Sequence, residues 1–191
     1  MHTAPFDFSV ALLHDRMLDK QGKIVTTSLT LIDVHDIARS SRTYGAQNIY
    51  IAHPSAQIRK LARMLRSHWE EGFGATYNPT RREALEPLEI CCDLDEVIQK
   101  IDLRCGMLPK IIATSARDGG GQRVSFSEMR SIILENKAPF LMLLGTGWGM
   151  SEELLERADY FLEPVKGPTD YNHLSVRSAC AIMLDRLLAD R

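Results

Sequence analysis

The residues able to do chemistry gather at a few places in this chain. Leu144-Gly145-Thr146-Gly147-Trp148-Gly149 follows a wholly apolar run that begins at Phe140. Glycines placed after a strand let the backbone approach a ligand and present N–H groups to it, as a nucleotide loop does. The run is not G-x-G-x-x-G and lacks the Lys-Ser/Thr that closes a phosphate-binding P-loop. A tight strand-to-helix turn accounts for it as well. Asp33, His35 and Asp36 stand within one turn at a helix start and are the side-chain types that accept protons. An acid favouring the helix dipole is an equally good account of Asp33. The spacing of these residues fits no standard metal pattern, so no metal is expected. Tyr171, Asn172 and His173 join a polar loop to an apolar helix; Asn172 can bond a ligand or cap that helix.

Elements must hold these groups in place, and the hydrophobic pattern supplies them. Short β-like runs at 10–13, 48–52, 111–114, 140–144 and 160–162, with a weaker one at 88–91, alternate with helical spacing. The helices are expected at 29–44, after Ser55, after Asp93, from Ser127, over 151–158 and over 174–188. Residues 77–82 read as a surface loop. This alternation predicts one α/β domain over residues 1–191, a mostly parallel sheet with helices on both faces. Ligands of open α/β sheets bind beyond the carboxyl ends of the strands. The exits at Thr114-Ser115, Leu144 to Gly149 and Leu162 to Pro168 are therefore the places to look for a site.

Composition narrows the function classes. The chain has 191 residues, 45% hydrophobic and 25% charged, with a formal net charge of -2. These values suit a folded domain and exclude a disordered, strongly charged one. A nucleic-acid partner must then be met by a local basic patch. No apolar run approaches the ~20 residues of a membrane span, and no secretion signal is visible, which predicts a cytoplasmic address without a membrane partner. Cys91, Cys92, Cys105 and Cys180 form no C-x-x-C pair and read as reduced, structural residues.

Three ordered motifs resemble a known superfamily. Leu162-Glu163-Pro164-Val165-Lys166-Gly167, then Leu174-Ser175-Val176 and Ala179, resembles the final motif of the SPOUT (alpha/beta-knot) methyltransferases, with residues 144–151 similar to their preceding Gly-rich motif. Ile37-Ala38-Arg39-Ser40-Ser41-Arg42-Thr43-Tyr44-Gly45 is similar to their first motif. More narrowly, nearly the whole chain resembles the bacterial family of predicted SAM-dependent RNA methyltransferases, which some bacteria carry fused behind a tRNA guanine-N1 methyltransferase. Val25-Thr26-Thr27, residues 31–39, residues 145–149 and residues 167–178 carry that likeness.

The resemblance implies a trefoil knot in the C-terminal half, a homodimer whose second subunit completes the site, and S-adenosylmethionine as cofactor. It implies donor binding by Thr114, Ser115, Leu144, Gly145, Thr146, Gly147, Leu162, Glu163, Pro164, Val165, Gly167, His173, Leu174 and Ser175. Related ribose methyltransferases carry Asn at the place of Asp33, Glu at Thr146 and Asn at Ser175, so the acceptor stays open between base and ribose. On the acceptor side Arg39 matches the motif arginine and would bind a phosphate or orient the attacked group; a surface pair with Asp36 is the alternative. Asp33 or His35 would take the proton, and Asn172 would contact the base. Trp148 would stack a flipped base or pack under its turn. Arg39, Arg42, Arg81 and Arg82 form the best basic patch for RNA, while Arg117 and Arg123 flank a Gly119-Gly120-Gly121 loop that could act as a lid. The function expected is RNA methylation, with a SAM-binding, non-catalytic RNA-interaction or regulatory module as the alternative.

Overall fold

The computed structural model describes residues 6–115 and 123–190. The elements run in the order β1 (Phe8–Leu13), β2 (Met17–Leu18), β3 (Ile24–Val25), α1 (Leu31–Thr43), β4 (Asn48–Ala52) and α2 (Ala56–Glu70). Next come α3 (Phe73–Tyr77), α4 (Pro79–Leu85), β5 (Leu88–Cys91), α5 (Leu94–Cys105), β6 (Lys110–Ala113) and β7 (Arg123–Val124). The chain ends with α6 (Phe126–Glu135), β8 (Phe140–Leu144), α7 (Glu152–Leu155), β9 (Tyr160–Leu162) and α8 (Val176–Leu188).

A seven-stranded sheet in the order β5-β4-β1-β8-β6-β9-β7 is the frame, and β2 and β3 form a separate two-stranded hairpin. Every strand pairing in the large sheet is parallel. Parallel strands need both faces covered, which is why β1 and β8 are apolar or small and buried along their whole length. On one face Phe8, Val10 and Leu12 of β1 meet apolar residues of α1, α2, α4, α6 and α8. On the other, Ala11 and Leu13 meet Leu94, Val97 and Ile101 of α5 and Leu154 of α7. No helix among the described residues is long and apolar enough to cross a membrane.

Local sequence explains where the helices begin. Ser55, Asp93, Ser125 and Ser175 each accept a hydrogen bond from a backbone N–H of the first turn. Ser125 and Glu128 complete a reciprocal capping box, so α6 starts at Phe126, before the Ser127 expected from the sequence. The closing helix starts at Val176, two residues after the Leu174 expected, because Ser175 is its cap, and the helix expected over residues 151–158 is the short α7. The segment 77–82 corrects the loop expectation. Tyr77 ends α3, and Asn78 caps α4 by accepting from the Arg81 N–H, with Pro79 at the first helical position. A polar cap followed by proline is a helix-start signal that the arginines beside it disguise as a surface loop.

Candidate active site at the strand exits

The carboxyl ends of β6, β8 and β9 open onto a cavity of ≈ 760 Å³. Its wall also takes residues 27–33 ahead of and within α1, and the stretch 170–176 that leads into α8. The floor is the turn after β8. Gly147 has φ +60 and sits so close to its neighbours that a Cβ would come within 3.1 Å of the Leu18 carbonyl oxygen and the Thr27 methyl. A side chain at Gly145 would come 2.8 Å from Met150. Gly147 is thus required by conformation as well as by close approach, and Gly145 by close approach alone.

The β2–β3 hairpin clamps that turn. Leu18 donates its N–H to the Gly149 carbonyl at 2.8 Å and accepts from the Trp148 N–H at 2.9 Å. Thr146 donates its N–H to the Met17 sulfur at 3.2 Å. Behind the turn lies a polar chain with a readable direction. The Thr146 hydroxyl donates to the Leu13 carbonyl at 3.0 Å, and the Thr27 hydroxyl proton goes to Thr146 Oγ1 or to the His14 carbonyl 3.3 Å away. Thr27 Oγ1 therefore accepts from His14 Nδ1, 3.1 Å away. That assignment leaves His14 Nε2 as a lone pair, and this buried atom has no partner among the described residues.

A second histidine packs against the first, with ring centroids 5.3 Å apart. His53 Nδ1 accepts the Ser55 N–H at 3.0 Å, and Nε2 donates to the Thr27 carbonyl at 3.1 Å. Both nitrogens are thereby committed to the neutral ring. Burial, with the neighbouring His53, pushes His14 down to about 4, and burial lowers His53 as well. Neither histidine was singled out in the sequence. They follow the ends of β1 and β4, so the same strand-exit rule that located the glycines locates them.

Of the residues proposed for donor binding, Thr114, Ser115, Leu144, Gly145, Thr146, Gly147, Glu163, Pro164, Val165, His173 and Leu174 line the cavity. Leu162, Gly167 and Ser175 do not. Leu162 is wholly buried in the sheet core, and the Ser175 hydroxyl caps α8. Thr114 Oγ1 donates to the Leu143 carbonyl at 2.8 Å, fixing the β6 exit beside β8. The Glu163 carboxylate accepts the Phe126 N–H at 2.7 Å and so closes the start of α6.

The acceptor-side candidates divide. Asp33 and Asn172 line the cavity. Asp33 Oδ1 accepts from Arg177 Nη1 at 2.9 Å, and Asp36 lies 3.4 Å from Arg177 Nε. Arg177 is thus the partner of Asp36 that the sequence reading assigned to Arg39. His35 and Arg39 lie away from the cavity. His35 packs edge-on to Trp69 of α2 with centroids 5.6 Å apart; burial and then the nearby Arg81 lower its pKa. Arg39 is exposed. Arg81 stacks over the Trp69 ring at 4.7 Å, and Arg42 pairs with Glu83 at 2.6 Å. Arg82 is exposed on α4. Trp148 lines the rim and is 47% exposed, so it is not packed under its turn. Arg123 Nη1 donates to the Leu162 carbonyl; Arg117 and the Gly119-Gly120-Gly121 loop lie outside the described residues. Among the described residues no cluster of His, Cys, Asp and Glu could hold a metal ion.

Thr27, Ser28, Thr30, Asp170 and Ala179 are cavity residues to which no role was given. The signal for Thr27 was present, since Val25-Thr26-Thr27 carried part of the family likeness.

Comparisons with known proteins bear on the fold and the family. The fold is similar to a SpoU methyltransferase of Streptomyces viridochromogenes solved with AdoMet, at TM-score 0.58 and 15% identity, over 97% of this chain and 60% of that one. A tRNA (guanine-N(1)-)-methyltransferase of Oleidesulfovibrio alaskensis is 41% identical over 180 residues, 94% of this chain and 41% of that protein. The chain thus spans less than half of that relative. An uncharacterized protein of Aquifex aeolicus is 40% identical over 94% of this chain and 87% of its own length. The family described as SAM-dependent RNA methyltransferase matches residues 7–189. This chain belongs to the SAM-dependent RNA methyltransferase family.

Proposed function

We propose that the chain binds S-adenosylmethionine in the strand-exit cavity and methylates RNA in the cytoplasm as a homodimer. One observation carries the donor assignment: turns after β6, β8 and β9 converge on one cavity, with glycines where a side chain would collide. The volume of ≈ 760 Å³ lies within the range of small-molecule sites. Backbone groups at 144–149 and 163–165 suit the edge of an adenine, and the carboxylates of Glu163 and Asp170 give the wall a negative character suited to a sulfonium. When bound, that donor supplies an electrophilic methyl group.

The chain's own part in transfer is alignment and proton removal. Asp33 and Asn172 are the acceptor-side groups on the wall, with Asp33 held in orientation by Arg177. Arg39, exposed on α1 and not among the cavity residues, is assigned to an RNA phosphate and not to the reacting nucleotide. The fold reading extends to a trefoil knot, in which the segment from 163 to 175 threads through the chain before α8. The single domain and the C2 dimer belong to the same proposal.

Titration calorimetry tests the donor assignment. S-adenosylmethionine and S-adenosylhomocysteine should bind at one site per chain, and ATP should not; the reverse pattern overturns it. Labelled methyl groups should then pass to total RNA from cells lacking the gene. Donor binding without transfer would leave a donor-binding module in place of an enzyme.

A further inference from the structure

The face of the molecule made by α2, α3 and α4 contributes no residue to the strand-exit cavity and carries side chains that the donor site does not use. α3 buries its small residues, Gly74 and Ala75. A Cβ on Gly74 would lie 2.6 Å from the Trp69 ring, so the helix rests directly on that indole. Packing the small side inward turns Phe73 and Tyr77, one helical turn apart, toward solvent. Each is 74% exposed, and the two rings stack with centroids 5.7 Å apart at 24°.

Cations surround this stack. Residues 56–86 hold six Lys or Arg and four Asp or Glu, in a chain whose net charge is -2. Arg66 pairs with Glu70, and Arg59 donates to the carbonyls of His53 and Pro54. Lys60, Arg63 and Arg82 are exposed and, among the described residues, have no acidic partner. Lys60, Arg63, Met64 and His68 edge a shallow hollow that reaches Gly72, next to Phe73.

From this juxtaposition we infer that α2, α3 and α4 form a docking platform for single-stranded RNA, on which an unpaired base stacks against Phe73 and Tyr77 while Lys60, Arg63 and Arg82 meet phosphates. The inference rests on the RNA reading above and adds where the strand is held. Stacking faces beside cations match the two features every single strand offers, a π-face and a phosphate. A second copy of the chain suits this face less well. Two-fold pairing would set Lys60 and Arg63 near their own images, and the apolar residues Leu61 and Met64 alternate with those cations instead of forming a continuous patch.

Fluorescence anisotropy with a labelled single-stranded RNA oligonucleotide tests the platform, using the full chain. The Phe73→Ala/Tyr77→Ala variant should bind it about tenfold or more weakly, the scale of losing one stacked base. Tyr77→Phe, which keeps the ring, should bind as wild type does. Lys60→Ala/Arg63→Ala should weaken binding and reduce the salt slope by about one to two, as expected for lost phosphate contacts. Calorimetric affinity for S-adenosylmethionine should stay the same in all three. Wild-type RNA affinity in the Phe73→Ala/Tyr77→Ala variant overturns the platform alone. A change in that variant's mass by light scattering with RNA affinity intact also overturns it, in favour of a protein-contact face. Absence of RNA binding by the wild-type chain overturns the RNA reading itself, whatever the donor result.

Discussion

Single hydroxyls and ring nitrogens decide how firmly the β8 turn is held. Thr146 sits on that turn and joins two cavity-side elements, donating to the Leu13 carbonyl and lying in hydrogen-bond contact with the Thr27 hydroxyl. Its N–H has only the Met17 sulfur, a weak acceptor, so the hydroxyl is the stronger tether. Thr146→Val keeps the shape but removes the donor to the Leu13 carbonyl and leaves the Thr27 hydroxyl only the His14 carbonyl at 3.3 Å, which should cost about 1–3 kcal/mol. If the tether positions the donor site, calorimetry should show affinity for S-adenosylmethionine falling about tenfold, and Thr146→Ser should restore it. Equal donor affinity in the Val variant would mean that the turn is set by the glycines and hairpin alone. At this scale the sequence was only partly legible. Gly145 and Gly147 announce themselves by type, because few other residues tolerate such close approach. His14 and His53 do not, since a histidine after an apolar run looks the same whether buried neutral or exposed. Arg39 and His35 were drawn toward the reaction by motif position, and α1 turns both of them toward Trp69 and Arg81 or solvent.

At the scale of elements, α1 and α8 are the walls most exposed to mispositioning. α8 packs along α1, and both contribute cavity residues at their N-terminal ends. Arg177 fastens those ends together through Asp33 and Asp36. The Asp33 side chain is only 13% exposed, so the pair works in a partly desolvated setting where removal of one partner is felt. Discounted for the more open Arg177, the coupling between them should be about 1 kcal/mol. A double-mutant cycle on Asp33→Ala and Arg177→Ala, followed by urea unfolding, measures it; additive losses would show no coupling. Helix and strand order was readable because β1, β4, β6 and β8 are short apolar runs separated by capped helices. The misread stretch at 77–82 shows the limit. Its two short helices gain their stability from Trp69 and α1 beneath them and not from their own periodicity, so no local pattern marks them.

For the molecule as a whole, a parallel sheet collects its strand exits on one edge, which is why residues separated by more than a hundred positions meet in one cavity. That convergence follows from topology and was legible; Ser28 and Thr30 of the enclosing wall were not, because only tertiary packing brings the segment after the β2–β3 hairpin to the cavity. The arrangement also places two neutral histidines beneath the site, and this gives the fold an acid limit. His14 has its pKa depressed from 6.5 to about 4 by burial and by His53, and His53 shifts the same way. The unfolded chain therefore binds more protons than the folded one below the unfolded value. Stability is complete above pH 6.5 and declines as pH falls toward 4. His14 alone should remove about 2 kcal/mol between pH 7 and pH 5, with His53 adding in the same direction. Urea midpoints measured across that range should fall with acidification, and His14→Phe should flatten the dependence even if it lowers the midpoint at neutral pH. A slope unchanged by His14→Phe would place the acid sensitivity in other groups and leave His14 without its proposed neutral state.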